Sequence, residues 1–470
     1  MSNRFEDFRN NVVNAFSGAE DLICRESGAN GARFALIFIK GITSRAYISE
    51  MILRPLLKTE MTEFDGNFGV IIESPSLRTP ENESMAIDSI AKGEVLIITE
   101  SKNGFFSTLV NAQEAPSRSI EEPTSDVTLR GPKVGFVEDA EKNMALLRRY
   151  IRSPDLKFKS FIVGDVSSTK VILAYVSGRA DEALVADISK RINDIKASVI
   201  TDSANISMLL EGSSSPPLPT CGSTEKADKL ASKLMSGRIA IIVDGSPFVL
   251  SLPFLFIEGL QASDDYLHTP YYATFIRILR FSAFISAIFA PAILCALISY
   301  DYFTMPKELF GLIAESRKDI PISFFWEIVA ILLLFETLRE VGVRMPRTVG
   351  DAVGIVGSII LGNTAVETGI VSSVGVITVA FSAVCAFITP AYMYVIVIAR
   401  IVALVLAEVC GIFGLGLGFT VFILLLCGKK SFGTPYMFPL APFDKKGLQD
   451  FIFTFPKKAL GRREDLGGRK

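Results

Sequence analysis

The stretch that most limits what this chain can fold into is Pro321 to Pro346, PISFFWEIVAILLLFETLREVGVRMP. It is apolar enough to lie in a bilayer, yet it holds Glu327 near its middle and Glu336, Arg339 and Glu340 toward one end. A carboxylate at membrane depth costs a few kcal/mol, so such residues face a bundle interior, a partner charge or a water path. The stretch reads as a functional membrane helix, and the chain before it as a domain that reports to it.

The distribution of charge supports this division. Residues 1–250 are rich in Lys, Arg, Asp and Glu, whereas 281–427 has few, and the mean hydropathy of the whole is +0.40. A net charge of -2, with no basic tract before the last stretch of chain, gives no footing for nucleic-acid binding. Six scattered cysteines without a CxxC pair and a single histidine, His268, argue against a zinc site or a histidine-dependent catalytic triad. No enzyme activity and no cofactor are expected. The start, MSNRFEDFRNNVVNAF, lacks an apolar segment and a cleavage site, so the N-terminal region is expected to stay cytoplasmic.

The polar half repeats itself. FALIFI (34–39), Gly41 and AYISEMILRPLL (46–57) correspond to VILAYV (171–176), Gly178 and ALVADISKRI (183–192). SMAIDSIAKGEVLIITES (84–101) likewise corresponds to DKLASKLMSGRIAIIVDG (228–245), with Gly93 and Gly237 closing a helix before a strand. Continuous apolar strands suit a sheet buried on both faces. The fold class expected is therefore an α/β N-terminal region of two related subdomains, 20–105 and 160–247, followed by an α-helical multi-pass membrane domain. A tail (1–19) precedes them. A linker and bridging helix (106–159) joins them, with Met144, Leu147 and Ile151 on one face and Asp139 as its cap. No glycine pattern fits a Walker A loop or a dinucleotide turn.

The membrane domain, 248–430, is expected to cross about four times, at 281–300, 322–338, 369–390 and 401–427, and a basic cytoplasmic tail covers 431–470. The apolar piece 352–362 has the length of a re-entrant segment. MYVIVIAR (393–400) and 401–427 form either one long helix or two. The basic loop at 339–347 and the basic tail place both ends in the cytoplasm. Glu327 and Glu408 are candidates for a pore or gate. Glu336, Arg339, Arg344 and Arg347 are candidates for ion pairing and for coupling to the soluble region. Glu336 and Arg339 are spaced to pair, and Glu327 and Glu336, nine residues apart, face opposite ways.

Several motifs in order resemble the A subunits of GerA-type spore germinant receptors: RGPKVGFVEDAEKNMALLRR (130–149), SGRIAIIVDGSPF (236–248), ATFIRILRF (273–281), LREVGVRMPR (338–347), GIVSSVGVITVAFSA (369–383) and GTPYMFPLAPF (433–443). The resemblance runs from about 33 to about 456, with departures at SPPLPT (215–220), EKAD (225–228) and Asp351. It implies a spore inner-membrane protein that senses nutrients and triggers germination. The implied partners are a transporter-like B subunit and a lipoprotein C subunit, and the implied assembly is a homo-oligomer forming a nutrient-gated ion channel. SpoVAF-type paralogues share the architecture, so that branch stays open. A secondary transporter and a non-conducting scaffold are the other readings.

Overall fold

The computed structural model describes residues 2–29, 32–59, 64–72, 74, 76–113, 132, 134–212, 218–266, 268–345, 360–444 and 447–451. Its polar half contains two five-stranded sheets. In the first, β1 (Leu22–Ala29), β2 (Ala32–Ile39), β3 (Leu77–Arg78), β4 (Glu94–Ser101) and β5 (Gly104–Asn111) lie in the order β1-β2-β4-β5-β3. In the second, β6 (Leu156–Val163), β7 (Thr169–Val176), β8 (Gly222–Thr224), β9 (Ile239–Val243) and β10 (Val249–Leu252) lie in the order β6-β7-β9-β10-β8. The two orders are the same, and every pairing is antiparallel.

The central strands β2, β4, β7 and β9 carry continuous apolar runs because both faces of each sheet are covered. Along β2, Phe34, Leu36 and Phe38 pack into one core while Ala35, Ile37 and Ile39 pack into another. Alternation along the strand sends successive side chains to opposite faces. The helical stretch 45–58 covers one face through Ile48, Ile52 and Leu56. The other is covered by α1 (Ser2–Ala15) and α2 (Glu83–Ala91). The second sheet is covered the same way, by α3 (Ala140–Tyr150) and α6 (Ala227–Met235) on one face, and by α4 (Glu182–Asn193) and α5 (Ser203–Glu211) on the other. Gly93 and Gly237 have φ of 96° and 84°, the left-handed region that closes a helix at little cost to glycine.

The sheets reach beyond 20–105 and 160–247. β5 runs to Asn111, β6 begins at Leu156, and β10 adds a strand after residue 247. The bridging helix α3 is part of the packing rather than a linker: Met144, Leu147 and Ile151 enter the core of the second sheet, and Ala145 enters that of the first. Between the two sheets, Arg148 is fully buried and donates from Nε and Nη2 to Asp21 at 2.7 and 2.9 Å. Glu141 adds a more exposed contact to Lys40 at 2.5 Å and Lys170 at 3.4 Å.

The apolar half is helical: α7 (Pro270–Ser299), α8 (Lys307–Ser316), α9 (Phe324–Arg344), α10 (Ser373–Phe387) and α11 (Met393–Gly428). Among the described residues, two helical stretches, Pro270–Ser299 and Pro390–Gly428, are long and apolar enough to cross a membrane. Helix α11 runs unbroken through residues 400 and 401 and breaks instead at Gly411, with φ 60° and ψ -147°. Residues 346–359, and with them Arg347 and most of the 352–362 segment, lie outside the described residues, as do 452–470 of the tail.

The second sheet is fastened to the helices by the chain on either side of them. After β10, Phe254 N–H donates to Ser431 Oγ and Phe256 N–H to Tyr436 O, both at 3.0 Å. Ser431 in turn donates to Thr220 O at 3.0 Å, and Tyr392 to Phe256 O. Glu258 sits between Arg238 at 2.5 Å and Lys233 at 3.0 Å. Burial pushes its carboxyl up, but those two cations outweigh burial and hold it below its ordinary range. The GTPYMFPLAPF motif therefore packs at this joint, rather than trailing away as tail.

Candidate functional site in the helical half

Arg277 and Arg280 near the start of α7 pair with Asp265 at 3.2 and 2.7 Å, and two further clusters of charge, at an inner and an outer level, lie deeper in the helical half. The inner level is organised by Pro291. Proline has no N–H, so within α7 the carbonyl of Ala287 lacks its usual donor four residues on. In an apolar setting that carbonyl must find another. Arg400 Nε donates to it at 2.9 Å from α11, and Ser382 Oγ at 2.8 Å from α10. One missing hydrogen thus joins three helices and fixes a guanidinium that is only 2% exposed. Arg400 Nη1 also lies 3.8 Å from Glu336, whose other oxygen is 2.5 Å from Arg339. Glu336, Arg339 and Arg400 form one cluster.

The outer level lies where α7 ends and α9 begins. Glu327 is on the first turn of α9, not near mid-depth, and is completely buried. Its Oε1 accepts from the backbone N–H and hydroxyl of Ser372, at 2.7 and 2.5 Å, so it sits at the N-terminus of α10. There the helix dipole and free N–H groups favour an anion. Its Oε2 accepts from Arg317 Nε at 3.3 Å. A Cβ on Gly375 would stand 2.5 Å from Oε1, which accounts for glycine in GIVSSVG.

Glu408 lies on α11 against the last turns of α7. Its Oε2 accepts from Cys295 Sγ at 3.6 Å and Ser299 Oγ at 3.5 Å, and among the described residues it has no ion pair. Three residues on, the helix breaks at Gly411. Tyr300 Oη donates to the Glu408 carbonyl at 2.6 Å, and Ile412 N–H donates to Asp301 Oδ2 at 3.1 Å. Both of these backbone groups at the break are thereby taken up by adjacent residues, Tyr300 and Asp301.

Of the residues expected from sequence, Glu327 and Glu408 lie at the outer level and Glu336 and Arg339 at the inner one. Arg344 is exposed and paired with Glu340 at 2.6 Å. Arg317, Ser372, Ser382 and Arg400 were not among them. A signal existed for Arg400, a lone cation between two apolar runs, but it read as the end of a segment. Among the described residues no group of His, Cys, Asp and Glu is arranged to hold a metal.

Two antiparallel sheets sharing one strand order, fastened to an apolar helical half with buried charges, define the class: an α/β region of two related sheets joined to a helical bundle. The chain belongs to the GerA family, described as the Bacillus/Clostridium GerA spore germination protein, whose family pattern matches residues 10–466. It is 35% identical to Spore germination protein KA of Bacillus subtilis over 95% of this chain and 84% of that one. It is 31% identical to Spore germination protein A1 of the same organism over 92% and 89%, and 29% identical to its Stage V sporulation protein AF over 92% and 88%. A solved structure, the N-terminal domain of the A subunit of the Bacillus megaterium spore germinant receptor GerK3, is 28% identical over 53% of this chain and 94% of that one, with a TM-score of 0.41.

Proposed function

We propose that this chain is the membrane subunit of a nutrient receptor that triggers spore germination, without enzymatic activity of its own. The observation that carries the reading is a family match over almost the whole chain, with spore germination proteins among the relatives. In this reading the chain sits in the spore inner membrane with the two-sheet region and tail cytoplasmic; α7, α9 and α10 cross it, and α11, expected as a single span, instead enters and returns about the Gly411 break, since Tyr392 before it and Ser431 after it both meet 254–256. It works with a transporter-like B subunit and a lipoprotein C subunit, and copies of it assemble into a nutrient-gated ion channel. Nutrient must favour the open state by differential affinity.

Glu408 is the stronger pore candidate. Its partners are neutral, whereas Glu327 is held by Arg317 and Ser372 and acts as a fastening between α9 and α10. The inner cluster of Glu336, Arg339 and Arg400 holds helices together. The test is ion flux from liposomes holding this chain with its partner subunits. Nutrient addition is expected to release ions, and Glu408→Gln to change the flux while assembly persists. Silence of the unaltered complex would sink the channel, and an unaffected Glu408→Gln complex would sink the pore assignment. The 29% identity to Stage V sporulation protein AF keeps a paralogous role in germination ion release as the second reading. The break at Gly411 gives a secondary transporter some footing, since broken helices form substrate sites in such proteins. The repeat, however, is in the sheets and not in the helices. A non-conducting scaffold predicts normal release from the Glu408→Gln complex.

A further inference from the structure

The connection from α7 to α9 contains α8, with the sequence KELFGLIAES. At 100° per residue, Lys307, Glu308, Gly311 and Glu315 share an arc of about 100°, while Leu309, Phe310, Leu312, Ile313 and Ala314 span a mainly apolar arc of about 200° that also holds the terminal Ser316. Within the helix only Ile313 is buried, and Leu312 is 65% exposed. The bundle therefore covers the centre of the apolar arc and leaves its flanks bare. Just before α8, Phe303 is 75% exposed, and the ring of Tyr302 lies 5.7 Å from that of Phe310. Trp326, the one tryptophan in the chain, is 63% exposed on the first turn of α9.

We propose that α8 lies in the plane of the bilayer interface, with Leu309, Leu312 and Phe303 in the boundary between headgroups and acyl chains. The inference rests on the membrane reading above. Three observations select lipid as the occupant. The bare apolar surface stands where the long apolar helices end, at the level an interface would occupy. It is flanked by Tyr and Trp, whose rings combine an apolar body with a polar edge and favour that level. Its charges are of both signs, so apolar burial rather than attraction to anionic lipid drives the contact. The depth of the helix is fixed as well. Arg317, next after α8, donates to Glu327 at 3.3 Å and to the Ile322 carbonyl at 3.1 Å, tying the end of α8 to the start of α9.

The single tryptophan makes this measurable in the full-length chain reconstituted into phosphatidylcholine vesicles. Trp326 emission is expected to be quenched more by lipids brominated near the glycerol end of the acyl chain than by lipids brominated near the methyl end. In a Trp326→Phe background, Phe303→Trp and Leu312→Trp should show the same shallow quenching, unchanged by salt. Leu333→Trp, exposed about 10 Å further along α9, reports whether that helix enters the bilayer at all. If the Leu333 probe is quenched by lipid but the Phe303 and Leu312 probes only by aqueous iodide, α8 stands in water and the inference is overturned while the membrane reading survives. If those two probes are quenched by neither lipid nor iodide, protein covers α8, which also overturns it. If iodide quenches all of them, the membrane reading itself has failed.

Discussion

The Asp21–Arg148 pair offers a quantitative test of how the two sheets are held. Both side chains are out of solvent, at 2% and 0% exposure. The guanidinium makes two bonds to the carboxylate and a third, from Nη1, to the Ser153 carbonyl at 2.8 Å, and it lies 5.1 Å from the centre of the Phe158 ring. Asp21→Asn keeps the shape but strands a buried positive charge, which costs about 3–5 kcal/mol. For a unit of this size that corresponds to a fall of about 6–20 °C in Tm. Replacing both partners, Asp21→Leu with Arg148→Met, removes the stranded charge and should cost far less than the single change, because a buried pair repays little beyond its own desolvation. Thermal unfolding of the full chain in detergent gives the magnitude, and hydrogen exchange in α3 and β6 gives the location. An Asp21→Asn loss below about 1 kcal/mol, typical of an exposed pair, would refute the reasoning. So would a double variant as damaged as the single one.

Glu141 provides the pH dependence between the sheets. Its hydrogen bond to Lys40 is the largest influence holding its carboxyl below the ordinary value, against opposing burial. Its stabilisation is present above the unfolded value near 4.5 and is lost as pH falls through the lower folded value. The side chain is 41% exposed, so the gain is at most about 1 kcal/mol, and Glu141→Gln should flatten the acid limb of stability measured by denaturant titration. Arg400→Met combined with Ser382→Ala should cost about 1–3 kcal/mol by depriving the Ala287 carbonyl of both its donors. The same change should cost less in a Pro291→Ala background, where the helix supplies its own N–H; equal costs in both backgrounds, read from thermal unfolding, would contradict the role given to Pro291. Gly411→Ala places a side chain at φ 60°, 2.9 Å from Asp301 Oδ2, and should cost about 1–3 kcal/mol through backbone strain, with faster hydrogen exchange of 410–414; an unaltered exchange pattern would count against the break.

What could be read in the sequence was local. Apolar runs and glycines at a constant offset revealed the repeat, because strand alternation and helix closure are written in neighbouring residues. Only the central strands β2, β4, β7 and β9 stand out by their own pattern; β1, β5, β6 and β10 do not, and the two- and three-residue β3 and β8 are made strands by their partners. Arg400 was missed for a related reason. Its role is set by Pro291 more than a hundred positions earlier, and no window along the chain contains both. Glu327 was noticed as a costly carboxylate, but its cage comes from two other segments, Arg317 after α8 and Ser372 with Gly375 at the start of α10. The coupling expected from the basic exit of α9 falls mostly on Arg347 and its neighbours, outside the described residues. Among the described residues, the second sheet meets the helices through 253–260 and 429–436, and Arg344 pairs with its neighbour Glu340.

That joint sets which parts of the bundle can move. Tyr392 before α11 and Ser431 after it are both bonded into the same small knot of chain beside the second sheet, so α11 follows that sheet. From Met393 to the Gly411 break α11 rises about 27 Å at 1.5 Å per residue. A tilt of roughly 5° over a rod of that length carries its far end about 2 Å, comparable with the hydrogen bonds by which Tyr300 and Asp301 grip it. Slight rocking of a soluble sheet would therefore arrive beside Glu408 as a displacement large enough to undo or remake a bond.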